Sequence, residues 1–179
     1  MGTDFTKAAS NIRVLNSNDA SEYQTLRLLA LSTDPDAYFS TFDEASALPL
    51  FAFEQEVRSQ PEPFGYYGWF EDGLKAYVSL QMPYSQKERN TADIFNLYVH
   101  PSNRRRGIAK MMVTYLIERS MKIPDLEKLY LSVMDGNTNA IKLYEELGFT
   151  RYGNKEHVLN AGTRHVNEVY MLLKLEHAI

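Results

Sequence analysis

Asp93-Ile94-Phe95-Asn96-Leu97-Tyr98-Val99-His100-Pro101-Ser102-Asn103-Arg104-Arg105-Arg106-Gly107-Ile108-Ala109 joins two kinds of sequence periodicity within one short stretch. Residues 92–99 are rich in β-branched and aromatic side chains and read as a strand, whereas from Ile108 the apolar positions Met111, Met112, Tyr115 and Leu116 follow helical spacing. Pro101 divides the two regimes, because the residue before a proline avoids helical geometry. A helix start leaves backbone N–H groups unpaired and carries partial positive charge. The guanidinium groups of Arg104, Arg105 and Arg106 add to it, and Gly107 has no side chain to hold an anion away from the backbone. The stretch therefore predicts a strand, a basic turn and a helix arranged to receive a phosphate or pyrophosphate.

Upstream, Gly65–Phe70 and Leu74–Met82 read as strands joined at Glu71-Asp72-Gly73, with Asp-Gly a favoured hairpin dipeptide. Ser85–Asn90 is a polar connection, so a three-stranded antiparallel meander leads into the basic turn. Earlier still, Ile12, Val14 and Leu15 make a short strand, and Asn18 or Asp19 can cap a helix containing Tyr23, Leu26, Leu29 and Ala30 that Asp34-Pro35 stops. Thr41–Ser59 reads as two short helices with Pro49 between them.

Downstream, the helix beginning at Gly107 ends before Pro124, and Leu129, Tyr130, Leu131 and Val133 supply the next strand. A strand–helix–strand succession implies a right-handed crossover and parallel pairing. Asn137 or Thr138 caps a helix whose Ala140, Ile141, Leu143, Tyr144 and Leu147 share a face, with Gly148 at its C-terminal cap. Phe149–Tyr152 and Glu168–Leu175 complete the sheet as a hairpin around a loop containing Gly153 and Gly162. The expected architecture is mixed α/β: one domain over residues 1–179, with a central, mostly antiparallel sheet of about seven strands flanked by helices.

The chain has 179 residues, 44% of them hydrophobic, enough for a sizeable core. Its net charge of −4 argues against a general nucleic-acid coat, so the arginine run reads as a local site. With no cysteine, disulfides, thiolate metal sites and a cysteine nucleophile are excluded. His100, His157, His165 and His177 show no metal-ligand spacing, and no metal is expected. No apolar run is long enough to cross a bilayer and Met1–Ser10 lacks a signal-peptide core, which predicts a soluble cytoplasmic protein without a membrane partner. Between Leu31 and Gln60, Asp34, Asp36, Asp43, Glu44, Glu54 and Glu56 face only Arg58. Such a stretch is either a solvated helix face or an acidic wall attracting a cationic amine.

The basic turn lacks the lysine-bearing spacing of a P-loop and the three-glycine fingerprint of dinucleotide-binding units. Its Arg-x-x-Gly-x-Ala pattern after Leu-Tyr-Val-His-Pro resembles the pyrophosphate loop of the GNAT superfamily of coenzyme A-dependent N-acyltransferases. Asn137-x-x-Ala140-Ile141-x-Leu143-Tyr144-Glu145-x-Leu147-Gly148-Phe149 is similar to that family's second segment, in the same order. The resemblance implies a strand ending at Val99 that splays from its neighbour ending near Val133, with the cofactor arm of acetyl-CoA lying between them along the backbones of Leu97, Tyr98 and Val99. It further implies that Arg104, Arg106, Gly107 and Ala109 hold the pyrophosphate, with Arg105 and Ile108 in the same loop, and that Asn137 touches the cofactor arm. Tyr144 then matches the tyrosine that protonates the departing thiolate, though a tyrosine one turn after Ala140 also suits core packing.

Family members often place a general base on the central strand, where this chain has Asp93, Asn96 and Phe95. Asp93 is the candidate base, with Glu168, His100 or a water chain as alternatives. The reading is an N-acetyltransferase acting by direct attack of a primary amine on acetyl-CoA, the amine belonging to a small molecule such as a polyamine or another cationic amine. A non-catalytic acyl-CoA sensor, a protein N-terminal or lysine acetyltransferase, and a nucleic-acid module using Arg104–Arg106 are the competing classes, the last predicting strongly salt-dependent binding. A homodimer is left open beside the monomer.

Overall fold

The computed structural model describes residues 10–58, 63–83, 90–161 and 164–176, with the backbone alone for residues 159–161 and 164. Asp72 and Gly73 take positive φ, 50° and 96°, the left-handed pair that a tight turn between right-twisted strands requires. They join β2 (Gly65–Phe70) to β3 (Leu74–Gln81) in an antiparallel hairpin. β1 (Ile12–Val14) pairs outside β2, and β4 (Thr91–Val99) pairs antiparallel with β3. The expected meander is therefore present, while its polar connection lies, except for Asn90, outside the described residues.

Asp19 is the N-cap residue of the first α-helix, as expected, although its side chain makes no cap bond there. A single 3-10 turn at Ser17–Asp19 precedes it, opened by Asn16, whose side chain accepts from the Asn18 amide while the Asp19 carboxylate accepts from the Asn16 amide at 2.9 Å. Asp19 is held there because Arg13 donates to both its oxygens, at 2.8 and 2.6 Å. The turn runs into α1 (Ala20–Thr33). α2 (Phe42–Ser46) opens on a Thr41–Glu44 capping box and α3 (Leu50–Glu56) follows Pro49, giving the two expected short helices.

α4 (Ile108–Ser120) crosses from β4 to β5 (Lys128–Met134), and α5 (Thr138–Glu146) leads to β6 (Thr150–Ala161) and β7 (Arg164–Lys174). The seven strands lie in the order β1-β2-β3-β4-β5-β7-β6, with β4–β5 the parallel pair. The last hairpin is longer than its sequence suggested. Gly153 belongs to β6, at a bulge where the Tyr170 ring lies 3.5 Å from the position of an added Cβ, and Gly162 lies outside the described residues.

Each face of the sheet carries its own apolar cluster. Ile108, Met112 and Leu116 of α4 and Ile141 and Tyr144 of α5 cover one face against Ile94, Leu129 and Met171. Tyr23 and Leu26 of α1 and Phe53 of α3 cover the other, over Tyr66, Tyr77 and Tyr98. Full burial of each large apolar side chain contributes about 1.5–3 kcal/mol.

β4 is bent by a bulge. Tyr77 pairs with Tyr98 but Ser79 pairs with Phe95, so Asn96 and Leu97 together oppose Val78, and Asn96 takes φ 56°. β4 and β5 pair at Thr91–Lys128, Ala92–Leu129 and Asp93–Tyr130, and the pairing ends there, while β5 stays paired with β7 as far as Met134–Glu168. The splay implied by the two motifs is thus a property of the sheet.

Candidate active site

A cleft of about 1200 Å³ opens where β4 and β5 part. Residues 94–99 of β4 and 132–134 of β5 form its two edges, the start of α4 closes one end, and α5 contributes Tyr144. On the cleft side the β4 backbone has lost its β5 partner, so donors and acceptors face an open slot. One is already engaged, the Val99 carbonyl accepting from Arg104 Nε at 3.0 Å.

The basic turn is shaped by backbone conformation. The His100 ring accepts from the Ser102 amide and opens a 3-10 turn at Pro101–Asn103, so His100 is committed here and does not line the cleft. Arg105 and Gly107 then adopt positive φ, 61° and 78°, and the first bond into the helix end is Met111 N to Gly107 O at 3.0 Å. The amides of residues 105–110 precede that bond, and no described backbone acceptor engages them. Alternating conformations of this kind gather N–H groups into an anion-binding concavity. A Cβ on Gly107 would meet nothing within 4 Å, so conformation, not crowding, is what asks for glycine.

The arginines divide. Arg104 donates to Asp34 at 2.6 Å with its guanidinium 5.4 Å from the Tyr98 ring centre, and Arg106 grips both oxygens of Glu71 at 2.7 and 2.9 Å. That Arg106 grip holds the Glu71 carboxyl below the usual range. Arg105 has no ion pair among the described residues. Arg104 and Arg105 line the cleft together with Gly107, Ile108 and Ala109, and Arg106 points away from it.

Leu97, Tyr98 and Val99 line the cleft as expected, and Tyr98 sends its side chain into the α1 cluster, its hydroxyl 2.9 Å from Thr33 Oγ1. Asn137 Oδ1 caps α5 by accepting from the Ala140 amide at 3.2 Å, and the residue lines the cleft. Tyr144 is 6% exposed, its ring edge-on to Phe149 at 5.8 Å, and its hydroxyl bonds to no described residue. Burial pushes its pKa well above the ordinary phenol value, so it keeps its proton at neutral pH.

Asp93 is placed differently from the expectation that made it the base. It sits at the last paired step, opposite Tyr130 and Gln81, and does not line the cleft. Glu168 does line it, 6% exposed and accepting from Tyr170 Oη at 3.0 Å. The acidic stretch also contracts: of its six carboxylates only Asp34 and Glu56 reach the cleft, and Asp34 is paired with Arg104. Glu56 Oε1 accepts from Tyr23 Oη at 2.7 Å and Tyr66 Oη at 2.6 Å, and Tyr66 Oη accepts from Asn96 Nδ2 at 3.0 Å. Arg27 of α1 joins the wall with its guanidinium 4.5 Å from the Tyr38 ring centre, a residue with no motif around it in the sequence.

The sequence profile of the Acetyltransferase (GNAT) family matches residues 27–149, more than half of the chain. Spermidine N(1)-acetyltransferase of Vibrio cholerae is 31% identical over 80 residues, a match that covers 44% of this chain and 46% of that one. The enzyme named [ribosomal protein bS18]-alanine N-acetyltransferase of Salmonella typhimurium is 26% identical over 133 residues, covering 69% of this chain and 89% of its own. A putative acetyltransferase of Salmonella typhimurium, solved with its cofactor acetyl-CoA, superposes with a TM-score of 0.73 at 21% identity, over 94% of this chain and 95% of that one. Among the described residues no helix is long and apolar enough to cross a membrane.

Proposed function

The chain belongs to the GNAT family of acetyltransferases, and on that premise we propose that it moves an acetyl group from acetyl-CoA to the primary amine of a small molecule by direct attack. The observation that carries the proposal is the end of β4–β5 pairing at Asp93–Tyr130, in a slot that leads to the unengaged amides of residues 105–110. An open strand edge suits the amide-bearing arm of the cofactor, and a concavity of amides suits its pyrophosphate.

Bound acetyl-CoA supplies a thioester, whose carbonyl carbon forms the new N–C bond as its C–S bond breaks. The rest falls to the chain. The amides of the basic turn, with Arg104 and Arg105, hold the pyrophosphate; the backbone of residues 97–99 and the Asn137 NH2 align the arm. Tyr144 gives its proton to the leaving sulfur, and burial keeps that proton in place until it is needed. We assign the proton leaving the amine to Glu168, which lines the cleft, in the role expected of Asp93.

A second reading, acetylation of a protein N-terminus, is favoured by the likeness to the ribosomal-protein enzyme. One assay separates the two. Thiol release is followed with acetyl-CoA and either small amines, spermidine included, or an alanine-terminated peptide. Turnover of small amines supports the proposal, turnover of the peptide alone supports the second reading, and acetyl-CoA binding without turnover of either overturns both in favour of a sensor.

A further inference from the structure

Arg27 stands out in the cleft wall because no carboxylate among the described residues forms an ion pair with it. The six ion pairs among the described residues engage other groups, and Arg27 is in none of them. The two carboxylates of the acidic stretch that line the cleft are engaged elsewhere: Asp34 holds Arg104 at 2.6 Å, and Glu56 Oε1 receives two tyrosine hydroxyls. Arg27 Nη1 and the hydroxyl of Tyr77, a fully buried residue, are both enclosed without a well-formed hydrogen bond, and each is the other's polar neighbour. What Arg27 does have is a tyrosine face, Tyr38, at 4.5 Å. A cation–π contact offsets only part of the cost of withdrawing a guanidinium from water, which is usually met by a carboxylate or phosphate.

The position of Arg27 decides what the missing anion is. The pyrophosphate has its own place at the start of α4, whose Ile108 packs in the cluster on one face of the sheet, whereas Arg27 lies on α1 against Tyr38 and beside Tyr77 of the cluster on the other face. Phe39 and Phe95, which line the same cleft, are 59% and 41% exposed and leave apolar surface in it. A guanidinium that lines an acyl-transfer cleft on the face of the sheet away from the pyrophosphate turn, with a tyrosine ring against it, fits a carboxylate attached to an apolar or short aliphatic body.

We propose that Arg27 receives a carboxylate of the acceptor, so that the amine acetylated here belongs to a molecule that also bears an acid group: an amino acid or a short amine-terminated acid. This rests on the small-amine reading above and narrows its substrate class. Arg27 takes no part in bond making; it holds the acid end while the free amine reaches the thioester.

The test uses the full chain, acetyl-CoA and matched acceptors: glycine, β-alanine, 4-aminobutyrate, leucine and phenylalanine, each against its own carboxamide. The expected result is that kcat/KM for at least one acid exceeds that for its amide by roughly tenfold or more, the scale of a charge-assisted hydrogen bond in a cleft. Arg27→Gln should collapse that ratio toward one, and Arg27→Lys should restore part of it. Acids and amides used equally, amides preferred, or an Arg27→Gln variant that lowers both members of a pair in proportion would each overturn the inference. If Arg27→Gln does not fold, the wild-type ratio decides alone. Turnover of spermidine or another simple amine but of no acid in the panel also overturns it, whereas failure of the parent reading shows itself separately, as no turnover of any small amine, spermidine included, or no shift with acetyl-CoA.

Discussion

Tyr144 packs its ring on Phe149, lines the cleft, and has a hydroxyl without a described partner, so one side chain is available for two demands. Tyr144→Phe keeps the ring and removes only the proton. The expected outcome is a fall in kcat of about 10²-fold, the lower end for loss of general acid catalysis, with acetyl-CoA affinity altered by less than roughly twofold. Steady-state rates and calorimetric titration check it, and an unchanged kcat would remove Tyr144 as the acid. Tyr144 was legible because its motif is local. Arg27 and Glu56 were not: the partners that define Glu56, Tyr23 and Tyr66, lie 33 and 10 residues away in sequence, and no pattern around Arg27 marks it. Asp93 was drawn from the polarity of its strand, but it sits at the last β5-paired step, just before the bulge in β4, and strand polarity encodes neither feature.

At the scale of elements, the proposed reaction gives strand, turn and helix each a different part of the cofactor to hold. Gly107 sits at φ 78° with open space where a Cβ would project, so a substitution there tests backbone conformation with little steric confusion. A left-handed conformation costs an L-residue about 1–2 kcal/mol. Gly107→Ala should therefore pull the turn away from its amide-gathering shape and raise the acetyl-CoA Kd by roughly 5–30-fold, with the variant still folded. Titration calorimetry beside a circular-dichroism melt checks this; an unaltered Kd would mean the turn does not hold the pyrophosphate. The elements themselves were largely readable, because periodicity switches at Pro101 and the Asp72-Gly73 turn has the chemistry its conformation needs. Two features escaped. The Asn96 bulge is hinted at only by asparagine's tolerance of positive φ inside a β-rich run, and Gly153, read as loop, is a strand position over which Tyr170 folds its ring.

For the whole molecule, the seam between β4 and β5 is the weak line. Three residue pairs join the strands, yet the apolar cluster beneath runs from Ile12 of β1 to Val169 of β7, so we propose that the chain unfolds as one unit despite the slot in its sheet. A ligand laid along that slot would supply contacts the sheet lacks and touch only the native form. At a concentration about 100-fold above Kd, such a ligand adds about 2.7 kcal/mol. For a chain of this size each kcal/mol moves the midpoint by about 2–4 °C, so acetyl-CoA should raise Tm by roughly 5–11 °C in a single transition. Hydrogen exchange locates the effect, because amides of residues 95–99 and 105–110 should slow on adding acetyl-CoA while those of β1 and β2, far from the slot, change only with global stability. A rise in Tm without slowing in those two segments would place the ligand elsewhere on the molecule, and protection confined to 105–110 would separate pyrophosphate capture from any role of the open strand edge.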